Sequence, residues 1–160
     1  MGVSGCGKSE VGKRLAQALG AHFIEGDRFH PPQNLAKMSA GVPLTDDDRW
    51  DWLHALRAEI QRVQDAGEVP VLACSALKRA YRDVLRGKDA DACFVHLHGD
   101  PALIAQRMAA RTGHFMPSSL LDSQLRDLEP LQPDECGVTL DLGEPPAALI
   151  EALLAPSTGP

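Results

Sequence analysis

The sequence begins with a glycine-rich stretch, MGVSGCGKSE, whose residue types and spacing are those of a loop that binds phosphate. Residues 2 to 9 follow the pattern Gly-x-x-x-x-Gly-Lys-Ser, in which backbone N–H groups surround the phosphates of a nucleotide. The pattern directs the Lys8 ammonium to the β- and γ-phosphates and the Ser9 hydroxyl to Mg²⁺. The predicted nucleotide-binding residues of this loop are Gly2, Val3, Ser4, Gly5, Cys6, Gly7, Lys8 and Ser9.

A second group of polar residues, Asp27, Arg28 and His30, follows the short strand predicted at AHFIEGD. In an open parallel sheet, ligands bind beyond the carboxyl ends of the strands. We therefore expect these side chains to bind an acceptor substrate near the γ-phosphate, with Asp27 orienting or deprotonating the attacking hydroxyl. The three aspartates at 46–48 are better explained by a helix start that Thr45 or Asp46 caps.

Two pairs of basic residues, each one helical turn apart, are further candidates. Lys78 and Arg82 share a face of the helix predicted after the strand VPVLACSA, where two cations could clamp a carboxylate or a phosphate. Arg107 and Arg111 precede a Thr-Gly pair, which is typical of a lid that closes over a nucleotide and stabilises charge on the transferring phosphoryl group. For both pairs, the alternative is that the side chains form part of a solvated basic surface. For Arg107 and Arg111, the presence of the phosphate loop favours the lid over this alternative.

These candidates need a scaffold, and the sequence predicts strands that alternate with helices. Apolar periodicity predicts helices at 8–19, 46–66, 76–86, 101–111, 117–128 and 146–154. Apolar and β-branched runs predict strands at AHFIEGD, VPVLACSA, ACFVHLHGD and, more weakly, GVTLDL. The polar, proline-rich segment before residue 46 is predicted to be a connection. This alternation indicates an α/β fold with a parallel sheet and right-handed crossovers.

Length and composition limit the class of protein. At 160 residues with 44% hydrophobic content, the chain is predicted to form one domain at 1–155, followed by a disordered tail at 156–160. A net charge of −6 without a basic stripe argues against nucleic acid as a partner. The sequence has neither an apolar run of membrane-spanning length nor a signal-like start, so we expect a cytoplasmic protein without membrane contacts.

The cysteines give no sign of a metal site or a disulfide framework. They are far apart in the sequence and contain no Cys-x-x-Cys pair, and they stand at Cys6, Cys74, Cys93 and Cys136. Four free thiols are therefore expected.

Several stretches beyond the loop resemble the thermoresistant gluconokinase family, the small gluconate kinases with a phosphate-binding loop. The resemblance covers residues 1 to about 141 and rests on MGVSGCGKS, HPPQN, PLTDDDR, CSALKRAYRD, RTGHF and SQLRDLEPLQPDE. It implies a P-loop NTPase fold of nucleoside-monophosphate-kinase type, related to shikimate kinase. In that fold, helices cover both faces of the parallel sheet, and a small helical lid lies at about 107–130.

The same resemblance implies the reaction of ATP with D-gluconate to give ADP and 6-phospho-D-gluconate, with Mg²⁺, feeding the pentose phosphate or Entner-Doudoroff route. It also suggests a homodimer. The predicted catalytic residues are Lys8, Asp27 and Arg111, and Arg107 and Arg111 complete the nucleotide site. The predicted substrate contacts are Asp27, Arg28, His30, Lys78, Arg82 and His114. Two alternatives stay open: a shikimate-kinase-like enzyme acting on another small molecule, and a nucleotide-binding regulator without turnover.

The start of the chain departs from the family. Family members carry a buried central strand just upstream of the loop, between the strands VPVLACSA and ACFVHLHGD, whereas only Met1 precedes the loop here. Without that strand, two rows of buried backbone groups lack partners, at a cost of about 1 to 3 kcal/mol each. We therefore expect Met1 to be an internal methionine and the reading frame to extend upstream by about 5 to 6 mostly apolar residues.

Overall fold

Strands and helices alternate along the chain in a computed structural model that describes residues 1–89, 91–110 and 120–155. The strands are β1 (His22–Glu25), β2 (Pro70–Ala73), β3 (Phe94–His98) and β4 (Gly137–Asp141). The α-helices are α1 (Lys8–Leu19), α2 (Pro32–Ser39), α3 (Asp46–Asp65), α4 (Arg79–Arg86), α5 (Pro101–Ala109), α6 (Leu121–Asp127) and α7 (Pro146–Leu154). Among these described residues, no helix combines the length and apolarity that crossing a membrane requires.

The strands form two parallel pairs, β1 with β2 and β3 with β4. Residues 1 and 2 lie between the pairs. The Gly2 N–H donates to the carbonyl of Ser75, just after β2, at 3.0 Å, and the Leu97 N–H of β3 donates to the Met1 carbonyl at 3.0 Å. The start of the phosphate loop therefore links the two halves of the sheet, and the predicted α/β fold with parallel strands is confirmed.

The start of α3 explains the run of aspartates at 46–48. The Thr45 hydroxyl accepts a hydrogen bond from the Asp48 N–H at 3.3 Å, and the Asp48 carboxylate accepts one from the Thr45 N–H at 2.9 Å. This capping box confirms the predicted helix start, with Thr45 as the cap. Asp48 also pairs with Lys37 at 2.6 Å, which ties α2 to α3.

Two predictions about the elements are wrong. The segment predicted to be a connection contains α2, and Pro32 is tolerated there because the first turn of a helix does not need its N–H. Helix α4 begins at Arg79, three residues later than predicted, because the carbonyls of Ala76 and Leu77 accept hydrogen bonds from the Arg82 side chain instead of from the backbone of a further helical turn.

The prediction of four free thiols is also wrong, because Cys93 and Cys136 form a disulfide. These residues directly precede β3 and β4, whose register pairs Phe94 with Gly137, so the cysteines lie side by side with their Cα atoms 4.7 Å apart. The bond closes a sequence separation of 43 residues. In the chain-entropy account a loop of this length contributes about 4 kcal/mol to stability. Cys6 and Cys74 are free and buried.

Candidate active site

The phosphate loop turns directly into the N-terminus of α1. Gly7 adopts a left-handed conformation with φ 91°, which lets the loop enter the helix, and Lys8 is the first helical residue. The Lys8 ammonium reaches back across the loop and donates to the Val3 carbonyl at 2.9 Å. The first-turn N–H groups of a helix have no intrahelical partner, so those of Lys8 and Ser9 can bind phosphate oxygens.

A pocket, called the first pocket below, opens between the phosphate loop and the ends of β1 and β2. Asp27 and His30 reach it from the 3-10 turn that follows β1, and Ser75 reaches it from the end of β2. Gly26 permits this close approach, because a Cβ there would lie 2.5 Å from the Ala73 carbonyl oxygen. The lining residues are Ser4, Lys8, Asp27, His30, Met38, Pro43, Leu44, Arg49, Ser75, Leu120, Ser123 and Gln124.

Two buried nitrogen atoms of the first pocket, Nε of Arg49 and Nδ1 of His30, have no hydrogen-bond partner within 1–89, 91–110 and 120–155. Arg49 is only 6% exposed. Its Nη2 donates to the Leu44 carbonyl at 3.3 Å and lies 3.8 Å from a carboxylate oxygen of Asp127. A buried donor without a partner costs about 1 to 3 kcal/mol, which a ligand with acceptor atoms can offset. A carboxylate would suit a guanidinium best.

His30 stacks on the indole of Trp52, with ring centroids 4.1 Å apart and planes 13° from parallel. Trp52 is held in turn by its Nε1, which donates to the Gly26 carbonyl at 2.9 Å. Burial lowers the pKa of His30 to about 4, Asp27 opposes this shift, and the nearby cation of Arg49 adds to it. His30 is therefore neutral at physiological pH, and a neutral imidazole offers one donor and one acceptor to the hydroxyls of a ligand.

A second pocket is lined by the middle of the phosphate loop, residues 5 to 7. Arg107 lines it and is held by a hydrogen bond from its Nη2 to the Leu142 carbonyl at 3.0 Å. The lining is otherwise mostly apolar and consists of Gly5, Cys6, Gly7, Glu10, Val11, Arg107, Ala110, Leu142, Glu144, Pro146 and Leu149. The structure thus brings Arg107 to the loop, as its prediction as a nucleotide contact requires.

The structure brings Lys8, Asp27 and His30 together, but it places other predicted substrate contacts elsewhere. Arg28 is exposed and does not line the first pocket. Lys78 pairs with Asp46 at 2.7 Å, also away from the pocket lining. Arg111 and His114 lie outside the described residues.

The prediction that Arg82 contacts substrate needs correction. Its side chain is 0% exposed and its guanidinium forms a bidentate pair with Glu135, at 2.6 and 2.9 Å. The remaining N–H groups donate to backbone carbonyls, so this cation is occupied within the protein.

Sequence reasoning missed Arg49 and the lining residues of α6. Arg49 lies three and four residues before Trp52 and Leu53, both buried, so the inward side of the helix could have been predicted from the apolar period. On α6, the side-chain carbonyl of Gln124 accepts a hydrogen bond from the Ser4 N–H at 2.6 Å. This contact joins α6 to the phosphate loop, and no local sequence pattern indicates it.

Comparison with protein families and characterised proteins places the chain among small-molecule kinases. The family model described as shikimate kinase matches residues 4–129. A gluconokinase of Gluconobacter oxydans (strain 621H) is 47% identical over 154 residues, which are 96% of this chain and 86% of that protein. The thermoresistant gluconokinase of Escherichia coli (strain K12) is 42% identical over 146 residues, or 91% of this chain and 83% of that protein.

Solved structures give the same result. The unliganded structure of a sugar kinase from Janibacter sp. HTCC2649 superposes with a TM-score of 0.91 at 51% identity, covering 96% of this chain and 89% of that one. A gluconokinase from Sinorhizobium meliloti 1021 superposes with a TM-score of 0.85 at 51% identity, covering 97% and 87%.

Proposed function

We propose that this chain, which belongs to the shikimate kinase family and within it to the gluconokinases, transfers the γ-phosphoryl group of ATP to D-gluconate. The products are ADP and 6-phospho-D-gluconate. The observation that carries the proposal is the first pocket, which joins Lys8 and Asp27 at the phosphate loop to the buried, incompletely paired guanidinium of Arg49. An acceptor with a hydroxyl at one end and a carboxylate at the other suits this arrangement.

The reaction needs an attacking hydroxyl, a positioned γ-phosphoryl group and stabilised charge. In the proposed mechanism, the Asp27 carboxylate accepts the proton of the gluconate hydroxyl as its oxygen attacks phosphorus and the bond to the ADP oxygen breaks. The Lys8 ammonium leaves the Val3 carbonyl and follows the charge on the phosphoryl oxygens. Because catalysis of this kind is mostly positioning, the loop and the pocket must hold both reactants in line.

The oxygen donors near the loop fit a magnesium ion. Mg²⁺ prefers hard oxygen ligands and is usually held by one or two protein groups together with nucleotide phosphates and water. The Ser9 hydroxyl, in the first turn of α1, is the group we assign to it. When bound, the ion would neutralise charge on the phosphates.

An assay of ADP formation with each acceptor, with 6-phosphogluconate identified as the product from gluconate, tests the proposed function on the purified protein. With ATP and Mg²⁺, we expect product with D-gluconate and none with shikimate. Phosphorylation of shikimate or another acceptor in place of gluconate would favour the related small-molecule kinase. Nucleotide binding without turnover on any acceptor would favour a regulator.

Arg49→Met should raise the KM for gluconate about 10- to 100-fold, since a hydrogen bond to a charged group contributes about 1.5 to 3 kcal/mol. The KM for ATP should change far less. Wild-type enzyme should strongly prefer gluconate to D-glucitol, a neutral polyol of the same length, and the variant should lose most of this preference. Steady-state kinetics with both acceptors provide the measurement.

Arg57→Met is a matched control on the same helix, because Arg57 binds the carbonyls of Leu85 and Arg86 and does not line the first pocket. It should leave the preference intact. If Arg49→Met discriminates gluconate from glucitol as well as wild type does, Arg49 does not bind the carboxylate.

The lowered pKa of His30 predicts a flat pH profile for gluconate binding. A histidine with a pKa of about 4 stays neutral throughout the range from pH 6 to 8, so its charge cannot alter the KM for gluconate there. We expect that KM to be constant over this range. A break near pH 6.5 that disappears in His30→Asn would show that the imidazole titrates normally and would contradict the buried position.

The proposal also covers the nucleotide site, two further site residues, the cellular location and the oligomeric state. The second pocket, with the Arg107 side chain and apolar walls, is proposed to hold the nucleoside of ATP. Arg111 is proposed as a lid cation and His114 as a substrate contact, by the family resemblance. We also propose that the enzyme is cytoplasmic. A further proposal is that it forms homodimers, and light scattering on the purified protein would check this assembly.

A further inference from the structure

Arg82 binds more partners than a stabilising ion pair needs. Besides the bidentate pair with Glu135, its Nη1 donates to the carbonyls of Ala76, Leu77 and Glu129 at 3.3, 3.3 and 3.1 Å. Its Nη2 donates to the carbonyl of Pro130 at 3.3 Å. These carbonyls belong to two segments. Ala76 and Leu77 follow β2, and Glu129 and Pro130 follow α6.

The first of these segments forms part of the wall of the first pocket. Ser75 lines the pocket, and its carbonyl accepts the Gly2 N–H at 3.0 Å. The next residue, Ala76, has a left-handed backbone with φ 44°, a conformation that costs about 1 kcal/mol or more for a residue with a side chain. The hydrogen bonds from Arg82 to Ala76 and Leu77 hold this turn in place.

The second segment, Glu129 and Pro130, follows α6, and the first half of that helix lines the pocket. Leu120, Ser123 and Gln124 line the pocket there. The helix ends at Asp127, and the Glu129 N–H then donates to the Leu77 carbonyl at 2.8 Å. Arg82 therefore joins the residues that follow Ser75 to the residues that follow α6, without lining the pocket itself.

We infer that Arg82 and Glu135 are a positioning pair, which sets the distance between the Ser75 turn and α6 and thereby the fit of the acceptor. The inference rests on the proposed function. Glu135 orients the guanidinium: its side chain is 1% exposed, and its carboxylate also accepts the Gln132 N–H at 2.9 Å. Because the Glu135 carboxylate fixes the orientation of the Arg82 guanidinium, the remaining N–H groups of Arg82 donate to the four carbonyls.

Arg82→Lys tests the pair, because lysine keeps the charge beside Glu135 but cannot reach four carbonyls with one ammonium. We expect kcat/KM for gluconate to fall about 100-fold, as expected for a displacement of about 1 Å in a reacting group. The dissociation constant for ATP, measured by calorimetry, should change less than about threefold. The matched control is Arg86→Lys on the same helix, whose side chain pairs with the exposed carboxylate of Asp83 at 2.7 Å. It should retain wild-type kinetics.

A double variant, Arg82→Met with Glu135→Leu, separates positioning from stability. Replacing both members of a buried ion pair by apolar residues often restores stability, whereas removing one member does not. We expect the double variant to recover most of the melting temperature lost in Glu135→Leu alone and to keep the low kcat/KM for gluconate. Recovery of both the melting temperature and the kinetics would show that the pair only stabilises the fold.

The wild-type assay keeps the inference separate from the proposed function. A wild-type protein that does not phosphorylate gluconate overturns the proposed function and, with it, the inference. A wild-type protein that does so while Arg82→Lys retains its kcat/KM overturns the positioning pair alone.

Discussion

Lys8→Ala is expected to lower kcat for gluconate phosphorylation about a thousand-fold, since one preorganised charge that follows the transition state contributes about this much. In the structure the ammonium donates to the Val3 carbonyl at 2.9 Å, so it stands within the loop. Its removal deletes little packing, and the melting temperature should stay within a few degrees of wild type. Single-turnover kinetics at saturating ATP isolate the chemical step.

Lys13→Ala is the control for this variant. Lys13 lies on the same helix, is exposed, and its ammonium stands over the Phe23 ring at 5.7 Å. Its loss should leave the single-turnover rate unchanged. A Lys8→Ala enzyme with more than about a tenth of wild-type turnover would contradict the assignment of residues 2 to 9 as the catalytic phosphate loop.

Asp27→Asn should lower kcat about 10²- to 10⁴-fold, the usual contribution of general acid–base catalysis by a positioned side chain. Asparagine has the same shape and can still orient a hydroxyl, but it cannot take the proton. Because Asp27 lines the first pocket and not the second, ATP binding should change little. The comparison of kcat with the dissociation constant for ATP provides the measurement.

Asp47→Asn offers a matched control, since this exposed carboxylate lies in the first turn of α3. Its kinetics should equal those of wild type. Equal losses of ATP affinity and turnover in Asp27→Asn would assign the carboxylate to magnesium binding or to structure and would overturn its role as base.

The sequence predicted the parts of the site that local patterns encode. The spacing of residues 2 to 9 dictates a loop and a helix start, and Lys8 does begin α1. The polar residues after β1 lie at the carboxyl end of a parallel strand, as topology requires, and Asp27 and His30 reach the pocket.

Long-range packing explains what sequence reasoning missed. Lys78 and Arg82 are one turn apart, but a spacing does not reveal which side of a helix is buried, and Arg82 lies beside the buried residues Tyr81 and Leu85. Cys93 and Cys136 are adjacent only because β3 pairs with β4 in one register. Both facts depend on which elements meet, and that information is spread over the whole chain.

Because His30 stacks on Trp52, the intrinsic fluorescence of Trp52 should report ligand binding in the first pocket. The chain has two tryptophans, and the ring of the other, Trp50, stands edge-on to Tyr81 with centroids 5.6 Å apart. In Trp50→Phe a single indole remains, and it touches a side chain that lines the pocket. A ligand that contacts His30 changes the surroundings of that indole, so its emission should titrate with gluconate alone. The fluorescence of Trp52 can then report acceptor binding in the absence of ATP, before any phosphoryl transfer takes place.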